Sequence, residues 1–216
     1  MTPPDPTGEP ANLLDAGQAL ELADWRRQVA DLYAAVRADP DAEGGWRRWQ
    51  QARSRLFSSH PQSPLPRGEP NADLLPRYFP YDPSFRVLAE VEACAPQRVL
   101  LPSSSAEEVG ASLVGTARFM LGGDSRSLGV YWLDGYAGGL FISFRDASSG
   151  QLTYGAGRYL LDTAKGADLG MRDGGLVLDF NFAYQPSCSY DPSWSCPLAP
   201  RTSWLDLAVT AGERSA

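Results

Sequence analysis

The chain has 216 residues, 43% of them hydrophobic, with 6 Trp, 9 Tyr and 8 Phe, which suffices for a core without metal or disulfide staples and excludes a disordered chain. Its net charge of -7 makes a nucleic-acid backbone or an anionic membrane surface a repulsive partner on average, so neither is expected. No run approaches the ~18 apolar residues that span a bilayer, the N-terminal residues are polar and proline-rich, and the 3 cysteines are too few for a disulfide scaffold, so the expected address is cytoplasmic.

Residues 1–12, with recurrent Pro and Gly and almost nothing to bury, read as a disordered leader, and 13–216 as one domain. Within it, 13–60 is a helical extension, 61–84 a proline-rich coil and 85–216 a β core. Trp25, Val29, Leu32, Tyr33 and Val36 recur at the 3.6 period and predict an amphipathic helix closed by Asp39-Pro40. A second helix is predicted from Gly45 to Ser58, burying Trp46, Trp49, Leu56 and Phe57. Neither helix shows a polar cluster suited to chemistry.

Proline removes backbone donors and fixes φ, so the stretch from His60 to Pro83, with Tyr78-Phe79-Pro80-Tyr81-Asp82-Pro83 at its end, predicts an ordered coil anchored by aromatics. Beyond it the period is two. Strands are predicted at Val87–Ala93, Gln97–Leu101, Leu113–Leu121, Leu128–Leu133, Gly139–Arg145, Leu152–Leu161, Leu176–Tyr184 and Trp204–Thr210, with a hairpin turn at Gly122-Gly123. About eight strands without interleaved helices predict a mainly β, α+β fold: an antiparallel β-sandwich or barrel-like sheet with two N-terminal helices over one face or end.

Candidate site residues cluster late in the chain. Asp179 and Asn181 interrupt the apolar strand Leu176–Tyr184; covered on both sides, that strand would place them in a cavity, with Asp179 the best general base, whereas on a solvated face they would carry no function. Arg158 reads either as a clamp for a carboxylate or phosphate or as a structural cation paired with Asp146, Asp162 or Asp179. Tyr159, Tyr184 and Tyr190 complete the candidate ligand-binding set. His60, the single histidine, is a second acid/base candidate, and equally a turn-stabilising side chain. Cys188 and Cys196, eight positions apart, form a thiol pair that could be a loop-closing bridge, a redox couple or two buried thiols. Zinc is not expected, since four N/S donors are not in view, and no metal or cofactor site is assigned. Serine-hydrolase, zincin and P-loop signatures are missing.

Several of these elements together, His60-Pro61 with Ser63-Pro64-Leu65, Tyr78 to Pro83, Phe144-Arg145-Asp146 with Ser149-Gly150, Thr153-Tyr154-Gly155 with Gly157-Arg158-Tyr159-Leu160, Asp179-Phe180-Asn181 with Ala183-Tyr184, Cys188 with Tyr190, Cys196-Pro197-Leu198 and Ala211-Gly212-Glu213, resemble the bacterial and archaeal domain of unknown function 1684. That resemblance implies membership and carries over no activity. Two departures stand out: Gln185 where the family pattern looks like Asn, and Arg201-Thr202-Ser203-Trp204 in place of a segment resembling Pro-Glu-Asn-Arg. The expected function is binding of a small polar molecule, expected to be anionic, with Arg158 as clamp. The alternatives are a metal-independent hydrolase or isomerase using the same pocket, and a structural or protein-interaction module. Oligomeric state is left open.

Overall fold

A computed structural model describes residues 14–66, 72–135 and 138–215; the expected leader at 1–12 lies outside them. Helix α1 (Ala16–Ala38) starts at a reciprocal cap in which Asp15 accepts from the Gln18 N–H and the Gln18 side chain accepts from the Asp15 N–H. It ends where Asp39 turns into extended backbone ahead of Pro40. Helix α2 (Ala42–Ser59) is capped by Asp41, whose side chain accepts from the Glu43 N–H, and starts three residues before the expected Gly45. Its buried stripe contains Trp46, Trp49, Leu56 and Phe57, as the spacing predicts.

The strands are β1 (Arg77–Tyr78), β2 (Arg86–Leu101), β3 (Val109–Leu121), β4 (Asp124–Leu133), β5 (Gly139–Phe144), β6 (Arg158–Asp162), β7 (Met171–Arg172), β8 (Gly175–Asp179) and β9 (Glu213–Arg214). Seven of them form one antiparallel sheet in the order β6-β5-β4-β3-β2-β8-β7, and β1 pairs with β9 in a small second sheet. The large sheet curls until its ends meet: Tyr159 on β6 and Tyr184, just past β8, exchange both backbone hydrogen bonds at 2.8 and 3.0 Å. The fold is therefore mainly β, a barrel-like sheet with two helices packed outside it. The Gly122-Gly123 turn joins β3 to β4 with φ of 65° and 88° at its two central residues, a conformation that glycine adopts without steric cost.

Four strand expectations are corrected. Val87–Ala93 and Gln97–Leu101 belong to one strand, β2, whose register against β3 slips between Ala93 and Gln97, around Pro96, which has no N–H to give the ladder. Of Leu152–Leu161 only the part from Arg158 is strand, because the preceding residues fold into glycine-assisted turns. Leu176–Tyr184 stops being strand at Asp179, where the carboxylate accepts from the Asn181 N–H and starts a 3-10 turn over Phe180–Phe182. Trp204–Thr210 makes single bonds to the Arg145 and Ala147 region rather than a ladder; its Val209 carbonyl is taken up by a side chain described below.

Two cores result. Inside the curl, Phe119, Leu128, Ile142, Phe144, Leu178 and Phe180 pack together. Between helices and sheet, Tyr33, Trp46, Trp49, Phe141, Tyr159, Phe182 and Tyr184 form an aromatic layer. Trp46 ties the two parts together by donating its ring N–H to the Asn181 carbonyl at 3.0 Å. Among the described residues, no helix is long and apolar enough to cross a membrane.

Candidate functional site

The aromatic layer does not close completely. Between α1, α2, the end of the His60 coil and the loop after β8 lies a cavity of about 140 Å³, comparable to the ~150 Å³ that holds one benzene ring in an engineered core. Its walls are Trp25, Tyr33, Phe57, Tyr159 and Tyr184, and its floor includes Gln185 and Cys196. Its charged lining residues are Arg26, Arg53 and Lys165, with no carboxylate among them, in a chain whose net charge is -7. Arg26 and Lys165 are exposed at the rim, while Arg53 is mostly covered.

Arg53 stands on the buried stripe of α2 between Trp49 and Phe57. Its guanidinium lies over Phe57 at 4.5 Å and over Tyr184 at 4.8 Å, and it forms an ion pair with Glu213. Glu213 is fully buried and also accepts from the Gln185 N–H at 2.7 Å and the Tyr190 hydroxyl at 3.0 Å. Burial raises the pKa of Tyr159, Tyr184 and Tyr190 well above the ordinary phenol value, so all three stay neutral donors.

The sequence-predicted residues divide into two groups. Tyr159 and Tyr184 face the cavity, and their rings meet edge to face at 5.6 Å. Arg158, Asp179, Asn181 and Tyr190 are turned elsewhere, so Arg158 and Asp179 do not converge in a shared hollow. The Arg158 guanidinium is buried and gives its protons to Asp146 at 3.0 Å, to the Val209 carbonyl at 2.8 Å, to the Glu213 carbonyl at 3.0 Å and to the Ala211 carbonyl. It thus takes the place of a strand partner for the C-terminal segment. Of its polar atoms, only Nε lacks a partner.

Asp179 binds Arg86 at 2.8 Å, and burial raises its pKa despite that partner. Asn181 spends its amide on the backbone of Asp82, donating to the carbonyl at 2.8 Å and accepting from the N–H at 3.0 Å. The polar interruptions in the Leu176–Tyr184 segment therefore fasten the Tyr78–Pro83 stretch to the sheet.

His60 sits at the C-terminal end of α2, edge-on to Trp25 at 5.2 Å. Its Nδ1 accepts from the Gln62 N–H at 3.0 Å and its Nε2 lies 3.4 Å from Asp24. It is not joined to Asp179 by any of these contacts.

Cys188 and Cys196 are both free thiols, and the Cys188 N–H points to the Cys196 sulfur at 3.4 Å. Among the described residues, no group of three His, Cys, Asp or Glu is placed to hold a metal ion.

The residues missed in the sequence are Arg26, Arg53, Lys165, Gln185 and Glu213. Two carried a legible signal: Arg53 is a cation on an otherwise apolar helical stripe, and Glu213 ends the Ala211-Gly212-Glu213 motif. Gln185 stood out only as a departure from the family pattern, and Arg26 and Lys165 reach the cavity because of how the helices dock.

A family model described as "Protein of unknown function (DUF1684)" matches residues 76–214, from the small β1 strand through its partner β9. The chain belongs to this family. The matched span includes the curled sheet and Glu213 with its partners Gln185 and Tyr190, while the two helices, and with them Arg53, lie outside it. Among solved structures, the chain is similar to the solution NMR structure of an uncharacterised protein from Haloarcula marismortui, with 39% identity over 80% of this chain and 94% of that one and a TM-score of 0.59. No curated protein matches.

Proposed function

We propose that this family member binds a small anionic molecule with a flat apolar body, such as an aromatic carboxylate, in the cavity between the helices and the curled sheet. The observation that carries this reading is the lining: aromatic walls around about 140 Å³, with every charged lining residue a cation. The apolar body would stack against Tyr159, Tyr184 and Phe57, and the anion would lie toward Arg26 and Lys165 at the rim. Arg53, already engaged by Glu213, positions the aromatic wall, and the Tyr159 and Tyr184 hydroxyls are anchored on the Pro197 carbonyl and Asp162, which fixes the rings. In this reading Arg158, Asp179, Asn181 and Tyr190 hold the frame rather than touch the ligand. The composition favours action in the cytoplasm.

The test is a thermal-shift and calorimetric comparison of benzoate, its neutral amide benzamide, and inorganic phosphate. Benzoate should stabilise most; a ligand at 100 times its Kd contributes about 2.7 kcal/mol. Lys165→Glu and Arg26→Glu, both at exposed positions, should weaken benzoate binding by about tenfold each, equivalent to ~1.4 kcal/mol, read against each variant's own ligand-free Tm because Lys165 lies 3.9 Å from the buried Asp162 carboxylate. Equal shifts with benzoate and benzamide, or binding unaffected by both reversals, would overturn the reading.

A further inference from the structure

The loop that floors the cavity carries a second chemistry. Cys188 lies in the 3-10 turn Ser187–Ser189, and its own N–H is directed at the Cys196 sulfur at 3.4 Å. The Tyr154 hydroxyl approaches the Cys188 sulfur at 3.7 Å, and the Ser104 hydroxyl accepts from the Cys196 N–H at 2.9 Å and donates to the Trp194 carbonyl at 3.0 Å. Two thiols and two hydroxyls thus converge from three separated parts of the chain, residues 104, 154 and 188–196. Two inert buried thiols would pack among carbon, whereas here a polar donor reaches each sulfur, the Cys188 N–H at Cys196 and the Tyr154 hydroxyl at Cys188.

We infer that Cys188 and Cys196 form a reversible dithiol–disulfide pair, with Cys188 the attacking sulfur and Cys196 the resolving one, responsive to a small hydroperoxide. In the first step the Cys188 thiolate attacks the terminal peroxide oxygen. An S–O bond forms, the O–O bond breaks, and the departing alkoxide or hydroxide takes up a proton, leaving a sulfenic acid. In the second step the Cys196 sulfur attacks the Cys188 sulfur, an S–S bond forms, the S–O bond breaks, and hydroxide leaves with the Cys196 proton as water. The two thiols lose two electrons in total, and the peroxide is reduced to an alcohol, or to water when it is hydrogen peroxide.

The assignment of roles follows from the donors. The Cys188 thiol is held down to about 6, chiefly by the hydrogen bond from Cys196 and further by Ser104 and Tyr154, against the opposing effect of burial. Cys196 is raised, first by that same bond to Cys188. The Tyr154 hydroxyl, 3.7 Å from the Cys188 sulfur, favours the thiolate at that position. Such a pair suits a reducing compartment, where disulfides are transient and sensing rather than structural. The inference is independent of the identity of any cavity ligand.

Cys94 is exposed and would react on its own, so the experiment uses full-length Cys94→Ser. With stoichiometric hydrogen peroxide, both remaining thiols should disappear together, with the mass of two hydrogens lost, a cross-linked 188–196 peptide, and full recovery in dithiothreitol. Adding Cys196→Ser should leave Cys188 as a sulfenic acid that dimedone captures. Alkylation of Cys94→Ser by iodoacetamide needs no further substitution; it should label Cys188 before Cys196, at a rate rising with pH and levelling off above about 6. Thiols that stay free under oxidant sufficient to oxidise Cys94 in the wild type, or labelling of Cys196 first, would overturn it.

Discussion

Replacing Arg158 by Met keeps the bulk of the side chain and removes its charge and all its donors. In the folded protein Arg158 and Asp146 are 0% and 1% exposed, so the variant leaves a buried carboxylate without its cation and frees the Val209, Ala211 and Glu213 carbonyls. Removing one partner of a buried pair costs about 3–5 kcal/mol. The carbonyl losses, ~1 kcal/mol each, overlap with that figure because the same guanidinium serves every contact, which places the total near about 4 kcal/mol. For a chain of this size ~1 kcal/mol moves Tm by about 2–4 °C, so the expected fall is roughly 8–16 °C. Circular-dichroism melting and urea titration read it directly. Adding Asp146→Asn should recover about 2 kcal/mol, because no unpaired charge then remains while Oδ1 can still accept from the Ser148 and Val209 N–H groups. Amide exchange at 209–214 should accelerate in the single variant, since the guanidinium engages three carbonyls of that segment. A loss under ~1 kcal/mol, or strictly additive single and double variants, would refute the structural role.

Further outcomes are expected elsewhere. Gly212 has φ of 76° and a Cβ there would meet the Ala183 and Phe180 carbonyls at 2.5 and 2.6 Å, so Gly212→Ala should destabilise by at least ~2 kcal/mol in urea, with Glu213 drawn out of register. Trp49 is 1% exposed at the centre of the helix–sheet layer, and Trp49→Ala should cost about 3–5 kcal/mol by the same measurement. Burial raises the pKa of Asp162 above the ordinary 3.8, so the folded state favours its protonated form. The stability this contributes is complete below that ordinary value and is lost as pH rises through the folded one. The stability of wild type relative to Asp162→Asn should therefore fall with increasing pH from about 3 to about 7, and a rising difference would contradict the assignment.

Much of the architecture was legible in local pattern. The 3.6-residue stripe around Trp25 to Val36, the period-two runs and the Gly122-Gly123 turn each follow from neighbours a few residues apart, which is why the helices, the curled sheet and family membership could be read from the chain. The misreadings have a common origin. Alternation in Leu176–Tyr184 predicted strand to the end, but the Asp179 carboxylate captures its own chain two residues on and ends it. Residues 204–210 look like strand by composition, yet the partner that satisfies their end of the chain is a side chain, Arg158, about 50 residues upstream.

Residue types alone marked Arg158, Asp179 and Asn181 as polar groups inside apolar segments, and the same types serve a clamp or a brace equally well. Only the packing decides, because a polar group is available to a ligand when folding has not already supplied its partners. Here the tertiary structure supplies them at 158, 179 and 181. Arg53 and Lys165 also have carboxylate partners, Glu213 and Asp162, but together with Arg26 they are gathered around an aromatic hollow, from helices and a turn whose meeting no short stretch of sequence encodes.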